Sequence, residues 1–218
     1  MPGLFITMEG PDGAGKTTVI EKLIPLLEER TNVTITSTRE PGGSRIAEDI
    51  RQIILDVQNV EMDVRTEAIL YAAARRQHLT DRILPNLEKG GIVFCDRFVD
   101  SSLVYQGVAR GIGIKEVYQL NQFATAGKTP DVTLYLDVPA EIGLERIHLA
   151  KGNRQFDRLD QEGLQFHKMV RQGYLDIIPT DPERFIQIDA TKTVDEVVQE
   201  CLTALVDRYP EYFTNGER

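Results

Sequence analysis

Short apolar stretches alternate along the chain with longer segments in which apolar residues recur every three or four positions. The stretches are rich in β-branched and aromatic residues, and such nearly continuous apolar runs are typical of strands buried on both faces of a parallel sheet. The segments between them have the spacing of helices. The pattern predicts an α/β protein whose five-stranded parallel sheet is flanked by helices, with strands at Leu4–Glu9, Val33–Thr38, Ile92–Asp96, Val132–Val138 and Arg184–Asp189.

The last predicted helix shows the helical pattern most clearly. Thr193 can cap its first turn while Glu196 reaches back to the Thr193 backbone. Apolar residues then recur at spacings of three and four, which places them on one face. We expect this face to pack in the core; it consists of Val194, Val197, Val198, Cys201, Leu202 and Leu205.

Length and charge favour one domain that binds small molecules. No stretch rich in Pro, Gly or Ser divides the 218 residues. We therefore expect a single domain over residues 1–210, followed by a loosely held tail over residues 211–218. The 25 basic and 34 acidic side chains give a net charge of -9, which argues against a nucleic acid polymer as the partner.

Cysteine use and hydropathy indicate a reducing environment away from membranes. Cys95 lies in a predicted strand and Cys201 on the apolar face of the last helix, which does not suit a disulfide framework. No apolar run is long enough to span a bilayer, and no basic segment followed by a long apolar run opens the chain. We therefore expect a cytoplasmic protein without a membrane partner.

A phosphate-binding motif follows the first predicted strand. Residues 10–17 match G-x-x-x-x-G-K-[ST], in which glycines let backbone N–H groups converge on a phosphate. Lys16 is expected to reach the β and γ phosphates, and Thr17 to offer its hydroxyl to Mg²⁺. The expected nucleotide-binding residues are Gly10, Pro11, Asp12, Gly13, Ala14, Gly15, Lys16, Thr17 and Thr18.

Polar residues also follow other predicted strands, at the sheet edge where ligands gather. Asp96 ends the third strand, where a P-loop enzyme holds Mg²⁺ or its water shell; a simple turn residue is the alternative. Arg97 comes next, and its planar guanidinium suits a pair of phosphate oxygens. Residues 39–43 and 189–192 follow the second and fifth strands.

The order of these motifs resembles one enzyme family. After the glycine-rich motif come Arg39-Glu40-Pro41-Gly42-Gly43, Asp96-Arg97-Phe98, and Ser101-Ser102 with Tyr105-Gln106. This ordered set extends over nearly the whole chain and resembles thymidylate kinase. The resemblance implies a P-loop fold of the nucleoside monophosphate kinase type, ATP and dTMP as substrates, Mg²⁺ as cofactor and a homodimer.

The resemblance assigns a thymine pocket to two helices. Periodicity predicts helix over most of Asp63–Asn86, which puts Tyr71 and Arg75 one turn apart. At matching positions the family has an aromatic residue and an arginine, suited to stack on the base and to bond a thymine carbonyl. From the helix alone, a core tyrosine and an arginine in a surface ion pair are the alternatives.

The second wall of this pocket is expected on a helix that carries Ser101, Ser102, Tyr105 and Gln106. Gln106 can donate and accept together, which fits the N3–H and O4 edge of thymine. The resemblance implies that Ser102 and Gln106 contact the base and that Tyr105 selects deoxyribose. It also implies that Asp12 binds the sugar 3′-hydroxyl, although Asp12 could serve only as a turn former.

Arg97 and Arg51 are expected to bind the acceptor phosphate of dTMP, with Arg39 as a third candidate. Cations are needed there because two phosphates brought together concentrate negative charge. A position on a solvated helix face is the alternative for Arg51. Glu40 could orient Arg39 or bind a metal-bound water.

Residues 151–158 resemble the lid of nucleoside monophosphate kinases, which we expect at about 150–160. The variable positions of the glycine-rich motif contain no cation, and the resemblance to bacterial thymidylate kinases implies that a lid arginine supplies it. Arg158 is favoured, with Arg154 as the alternative. Together with Lys16, Asp96 and Arg97 they form the expected catalytic set. Arg146 and Lys192 match residues near adenine.

Other classes of nucleotide-binding protein fit less well. A GTP-driven switch would carry Asn-Lys-x-Asp and Asp-x-x-Gly, and the chain has neither. A deoxynucleoside kinase would have little use for Arg51 and Arg97 at an acceptor phosphate. A binding protein that had lost catalysis would not be expected to keep Lys16, Thr17 and Asp96.

Overall fold

A five-stranded parallel sheet forms the centre of the protein, in a computed structural model that describes residues 1–149 and 162–214. The strand order is β2-β3-β1-β4-β5, with β1 in the middle because it pairs with both β3 and β4. The predicted parallel sheet is confirmed. Two strands have the predicted limits, and the limits of the other three shift by one or two residues. The strands are β1 Leu4–Glu9, β2 Ile35–Arg39, β3 Ile92–Asp96, β4 Val132–Asp137 and β5 Phe185–Asp189.

Helices connect the strands and cover both faces of the sheet, as parallel pairing requires. The helix predicted over most of 63–86 is confirmed as α3, a π-helical segment Leu79–Ile83 and α4 in succession. Likewise α5 continues into a π-helical segment, Leu103–Ala109. The helices are α1 Lys16–Glu28, α2 Arg45–Leu55, α3 Val64–His78, α4 Leu84–Glu88, α5 Val99–Ser102, α6 Ile114–Thr125, α7 Ala140–Leu149, α8 Leu164–Ile177 and α9 Val194–Arg208.

The core on one face of the sheet lies beneath α1 and α9. The predicted capping box of α9 is present, with Thr193 accepting from the Glu196 backbone and Glu196 accepting from the Thr193 backbone. Five of the six predicted core residues of this helix are buried, whereas Val194 is 38% exposed. Val194 opens the helix, and its first turn borders the cleft described below.

The segment after α9 corrects one expectation. Residues 211–214 were expected to belong to a loose tail, yet Tyr212 and Phe213 are 8% and 1% exposed and join the core under α1 and α9. The backbone N–H of Thr214 also donates to the carbonyl of Arg30. Aromatic burial outweighs the lack of helical periodicity here. Residues 215–218 lie outside the described residues.

Both cysteines are buried free thiols, as their positions predicted. In the described part of the chain, no helix combines the length and apolarity needed to cross a membrane.

Burial of Phe213 leads to a stability prediction. Phe213→Ala should lower the free energy of unfolding by about 3–5 kcal/mol, the usual range for a buried phenylalanine. Chemical denaturation measures this loss. The exposed neighbour Glu211 gives a control, because Glu211→Ala should change stability by no more than about 0.5 kcal/mol. Equal, small effects of both variants would show that the segment is not part of the core.

Candidate active site

The glycine-rich loop forms a turn between β1 and α1 at the carboxyl edge of the sheet. Gly15, with φ of 89°, is in the left-handed region and directly precedes Lys16, the first residue of α1. Gly13 lies against α7, where a Cβ atom would come within 2.1 Å of the Gly143 carbonyl oxygen. The loop therefore needs glycine at these positions, and it aims the N-terminus of α1 at the cleft, where phosphate binding is favoured.

Lys16 is folded back onto this loop. Its Nζ donates to the carbonyl oxygens of Gly10 and Pro11, at 2.9 Å each. Burial lowers the pKa of Lys16 to about 8, and the positive charge of Arg97 acts in the same direction. A bound phosphate would add negative charge beside this ammonium group and raise its pKa.

Asp96 offers an oxygen suited to Mg²⁺. It ends β3 beside Met8 of β1, and its Oδ1 is buried without a hydrogen-bond partner in the described part of the chain. Within residues 1–149 and 162–214 no group of three His, Cys, Asp or Glu side chains could hold a metal. A single carboxylate and the hydroxyl of the exposed residue Thr17 fit an ion held mainly by nucleotide phosphates and water.

Arg97 adopts a backbone conformation that is rare for a residue with a side chain. Its φ is 70°, which costs free energy and is found most often at functional sites. The guanidinium donates to Asp12 at 2.6 Å, to Ser101 at 3.1 Å and to the Gly10 carbonyl at 3.2 Å. It also lies 5.1 Å from the ring centroid of Tyr105. These contacts fix a cation next to the phosphate-binding loop.

Asp12 is the acidic centre of this arrangement. Burial acts to raise its pKa, but Arg97 and Lys16 outweigh burial and lower the pKa to about 2. The hydroxyl of Tyr105 donates to the other carboxylate oxygen at 2.8 Å. Asp12 is therefore more than a turn former, because it ties the loop to Arg97 and Tyr105.

Sequence reasoning missed Glu9, the last residue of β1. Its fully buried carboxylate accepts from the Phe98 N–H at 2.7 Å, from the Ser101 hydroxyl at 2.5 Å and from the Tyr174 hydroxyl at 2.8 Å. Burial raises its pKa to about 6, with the negative charge of Asp100 adding to the shift. An acidic residue at the end of a mostly apolar strand was the available signal.

Arg75 is buried rather than placed in a surface ion pair. It is 2% exposed, and its Nε donates to Glu40 at 2.6 Å. Nη1 donates to Ser102 and Asn121, and Nη2 donates to the Phe98 carbonyl. By donor count, these contacts within residues 1–149 and 162–214 leave one Nη2 hydrogen for a ligand.

Glu40 holds Arg75 and not Arg39. Its second oxygen accepts from His78 at 3.1 Å. The expectation that Glu40 orients Arg39 is therefore wrong, because Arg39 instead donates to both carboxylate oxygens of Glu48. Arg51 donates to the Pro41 carbonyl at 2.7 Å, so the 39–43 segment gathers two arginines beside the cleft.

Gln106 and Ser102 stand beside Arg75 at the far end of the cleft. Gln106 is 2% exposed and donates from Nε2 to Glu67 at 2.8 Å. The half-buried Tyr71 also lines this end. The predicted pairs on two helices therefore converge, although the second pair lies on α5 and its π-helical continuation.

Arg146 and Lys192 lie at the opposite end. Arg146 donates to the Gly13 carbonyl at 3.4 Å and to the Ala190 carbonyl at 3.0 Å, which joins the phosphate loop to the segment after β5. Lys192 is exposed and pairs with Glu200 at 2.7 Å.

One cleft of about 860 Å³ connects these groups. Most of the predicted site residues line it; Gly10 and Pro11 lie behind it as acceptors for Lys16. Arg154 and Arg158 lie outside the described residues. The predicted residues that line the cleft are Asp12, Gly13, Ala14, Gly15, Lys16, Thr17, Thr18, Arg39, Arg51, Tyr71, Arg75, Asp96, Arg97, Ser102, Tyr105, Gln106, Arg146 and Lys192.

Comparison with known proteins agrees with this geometry. The family model for thymidylate kinase matches residues 8–201. A thymidylate kinase of Lacticaseibacillus casei is 55% identical over 98% of this chain and all of that relative. One from Geobacillus sp. is 56% identical over 95% of this chain and 98% of the relative. The solved thymidylate kinase of Ehrlichia chaffeensis superposes with a TM-score of 0.75 at 30% identity, covering 94% of this chain and all of that structure. The chain belongs to the thymidylate kinase family.

Proposed function

We propose that this thymidylate kinase transfers the γ-phosphoryl group of ATP to dTMP within the cleft described above, using one catalytic domain whose core includes Tyr212 and Phe213. The observation that carries this proposal is the arrangement of that cleft. The phosphate loop with Lys16 lies between two ends of the cleft. The end with Arg146 and Lys192 suits a purine, and the end with the buried side chains of Arg75, Ser102 and Gln106 suits a pyrimidine. Four arginines line the space between and beside them: Arg39, Arg51, Arg97 and Arg146.

ATP is proposed to lie with its phosphates on residues 10–18 and its adenine beside Arg146 and Lys192. The N-terminus of α1 and the ammonium group of Lys16 attract the β and γ phosphates. Thr17 and Asp96 would hold Mg²⁺, which supplies neutralisation of the phosphate charge when it is bound. The partnerless buried oxygen of Asp96 supports this placement.

The phosphate of dTMP is proposed to bind between Arg97 and Arg51, with Arg39 nearby. Asp12 and Tyr105 would contact the deoxyribose, because the hydrogen bond between them places both at the side of Arg97. A buried tyrosine at this position leaves little room for a 2′-hydroxyl.

Thymine is proposed to stack on Tyr71 and to meet Arg75, Ser102 and Gln106 at its polar edge. Arg75 has one Nη2 hydrogen left for the O4 atom, and Gln106 can accept from N3–H. Since the buried guanidinium is held by four protein acceptors, it need not reorganise when the base arrives.

Catalysis in this arrangement consists mainly of positioning and charge neutralisation. Arg97 and Lys16 hold the acceptor and donor phosphates, and the protein thereby offsets the repulsion between two anions. From the sequence, Arg158 or Arg154 is proposed to add the cation that the phosphate loop lacks.

A deoxynucleoside kinase is the less favoured alternative. Its acceptor carries a hydroxyl and no phosphate, so Arg51 and Arg97 beside the acceptor position would have no anion to bind. The ion pair of Arg97 with Asp12 and the backbone bond of Arg51 keep both cations beside the cleft.

A homodimer is proposed to form through α2, α3 and α6. These helices pack side by side and expose large apolar side chains on the described surface, of which Phe123 at 89% is the most exposed. A second copy with the same apolar surface would cover them in a two-fold interface. The other members of the exposed set on α3 and α6 are Val64, Ile69, Ile114 and Tyr118. A cytoplasmic location is proposed from the two buried thiols.

The first prediction concerns the choice of acceptor. With ATP and Mg²⁺, kcat/KM should be highest for dTMP in a panel that also contains dUMP, UMP, CMP and AMP. An assay coupled to ADP release measures each value. A preference for AMP would contradict the pyrimidine pocket and leave the ATP end of the cleft untouched.

A second prediction follows from Lys16. Because its pKa in the free protein is about 8 and bound phosphates favour the charged form, ATP binding should take up a proton at pH values above about 8 and weaken as the pH rises further. Titration calorimetry in buffers of different ionisation enthalpy measures the uptake.

The matched variant for this titration is Lys16→Met, which keeps the length of the side chain and removes the titrating group. It should bind ATP more weakly and show no proton uptake assigned to this site. Identical buffer dependence in the wild type and in Lys16→Met would refute the role of Lys16.

A third prediction tests the homodimer. Phe123→Glu should convert the dimer into a monomer, because it buries a charge in the proposed interface. Light scattering after size-exclusion chromatography measures the mass. Gln199→Glu introduces a charge on an exposed position of α9 and should leave the dimer intact. A wild-type protein of monomer mass would reject the proposal.

A further inference from the structure

Glu67 is a buried carboxylate that stands behind the thymine pocket and outside the cleft. It is 1% exposed and lies in the first turn of α3. Its Oε1 accepts from the side-chain amide of Gln106 at 2.8 Å, and both partners are buried. Gln106 lines the cleft, whereas Glu67 does not. Glu67 therefore reaches the cleft through its hydrogen bond with Gln106.

The surroundings of Glu67 favour a negative charge. The Nε atom of Arg110 lies 3.5 Å from the same carboxylate oxygen, and the N-terminal end of a helix stabilises an anion. Arg110 is itself held by Glu162 at 2.6 Å. An ionised carboxylate can accept hydrogen bonds and cannot donate one.

This chemistry decides which way the Gln106 amide faces. An amide can be turned so that its nitrogen and oxygen exchange places, and crystallographers assign the orientation from the hydrogen-bond partners. Here only the nitrogen can face Glu67, because an oxygen in its place would meet a second acceptor. The orientation follows from residue chemistry, and it turns Oε1 away from Glu67.

The two amide orientations suit different bases. With Nε2 held by Glu67, Gln106 presents Oε1 to N3–H and can still donate its second Nε2 hydrogen, which matches the thymine edge. The reversed amide would present a donor to N3 and an acceptor to a 4-amino group, which matches cytosine. A free glutamine could read either pyrimidine.

We infer that Glu67 is a positioning residue that makes the pocket selective for pyrimidines with an N3–H and a 4-oxo group over pyrimidines with a 4-amino group. The inference rests on the proposed function, in which Gln106 meets the base. The carboxylate of Glu67 pairs with the nitrogen of the Gln106 amide and thereby excludes the orientation in which the amide oxygen faces Glu67.

The experiment compares dTMP with 5-methyl-dCMP, which share the methyl group, sugar and phosphate and differ only at the edge that Gln106 meets. For each protein the measured quantity is the ratio of kcat/KM for the two acceptors. In Glu67→Gln, the new amide can donate as well as accept, so Gln106 is free to turn. The ratio should fall by about tenfold or more, because the Gln106 amide could then turn and pair with 5-methylcytosine as well as with thymine.

The conservative variant provides the rescue. Glu67→Asp keeps a carboxylate that accepts and cannot donate, so the nitrogen of the Gln106 amide should still face position 67. The ratio should stay within a fewfold of the wild-type value, whatever the absolute rate. This variant keeps the buried charge that faces Arg110, so it remains informative if Glu67→Gln fails to fold.

A matched control is available on the surface. Gln77 donates from Nε2 to Asp81 at 2.8 Å, which is the same amide–carboxylate contact in an exposed position. Asp81→Asn should leave the ratio unchanged. Thermal melting of each variant separates loss of stability, which lowers both kcat/KM values together, from a change in selectivity.

The outcomes distinguish the inference from the function on which it rests. A wild-type enzyme with no preference for dTMP over 5-methyl-dCMP would refute the proposed pocket. A wild-type preference that survives unchanged in Glu67→Gln, or that falls as far in Glu67→Asp as in Glu67→Gln, would overturn the role of Glu67 and leave the proposed function standing.

Discussion

The buried carboxylate of Glu9 is the interaction on which the geometry of the site depends. It stands at the end of the central strand and accepts hydrogen bonds from the backbone of Phe98, from Ser101 and from Tyr174. A carboxylate removed from water is costly unless it is bonded in this way. Because its partners come from the segment after β3 and from α8, their positions are fixed relative to the phosphate loop that begins one residue later.

The segment after β3, which Glu9 holds, places the guanidinium of Arg97 where the donor and acceptor phosphates must meet. Arg97 bonds to Ser101, which Glu9 holds, and also to Asp12 in the phosphate loop. The unusual backbone of Arg97 is compatible with the fold because bonds on several sides hold it in place. Positive charge is therefore in position before substrates arrive, so little reorganisation is needed in the transition state.

At the end of the cleft that is proposed to bind the base, hydrogen bonds within the protein again hold the functional groups in place before the ligand binds. Arg75 is held by the side chains of Glu40, Ser102 and Asn121 and by the Phe98 carbonyl, which leaves one hydrogen to direct at a ligand. Gln106 is held in turn by a carboxylate. Selectivity at this end depends on which donors and acceptors the protein has already used, since a buried polar group left unpaired by the wrong base costs about 1–3 kcal/mol.

The sequence by itself determined the parallel sheet and the phosphate loop, because apolar periodicity and the glycine-rich motif are local signals. Its resemblance to thymidylate kinase implied most of the other residues of the cleft. It did not determine the partners of Glu40, the role of Glu9 or the burial of Phe213. Contacts such as that between Glu9 and Tyr174 join residues far apart in the chain, and spacing carries no information about such pairs. Only the tertiary structure decided which buried charges and hydrogen-bond donors meet, and which donors and acceptors remain for a ligand.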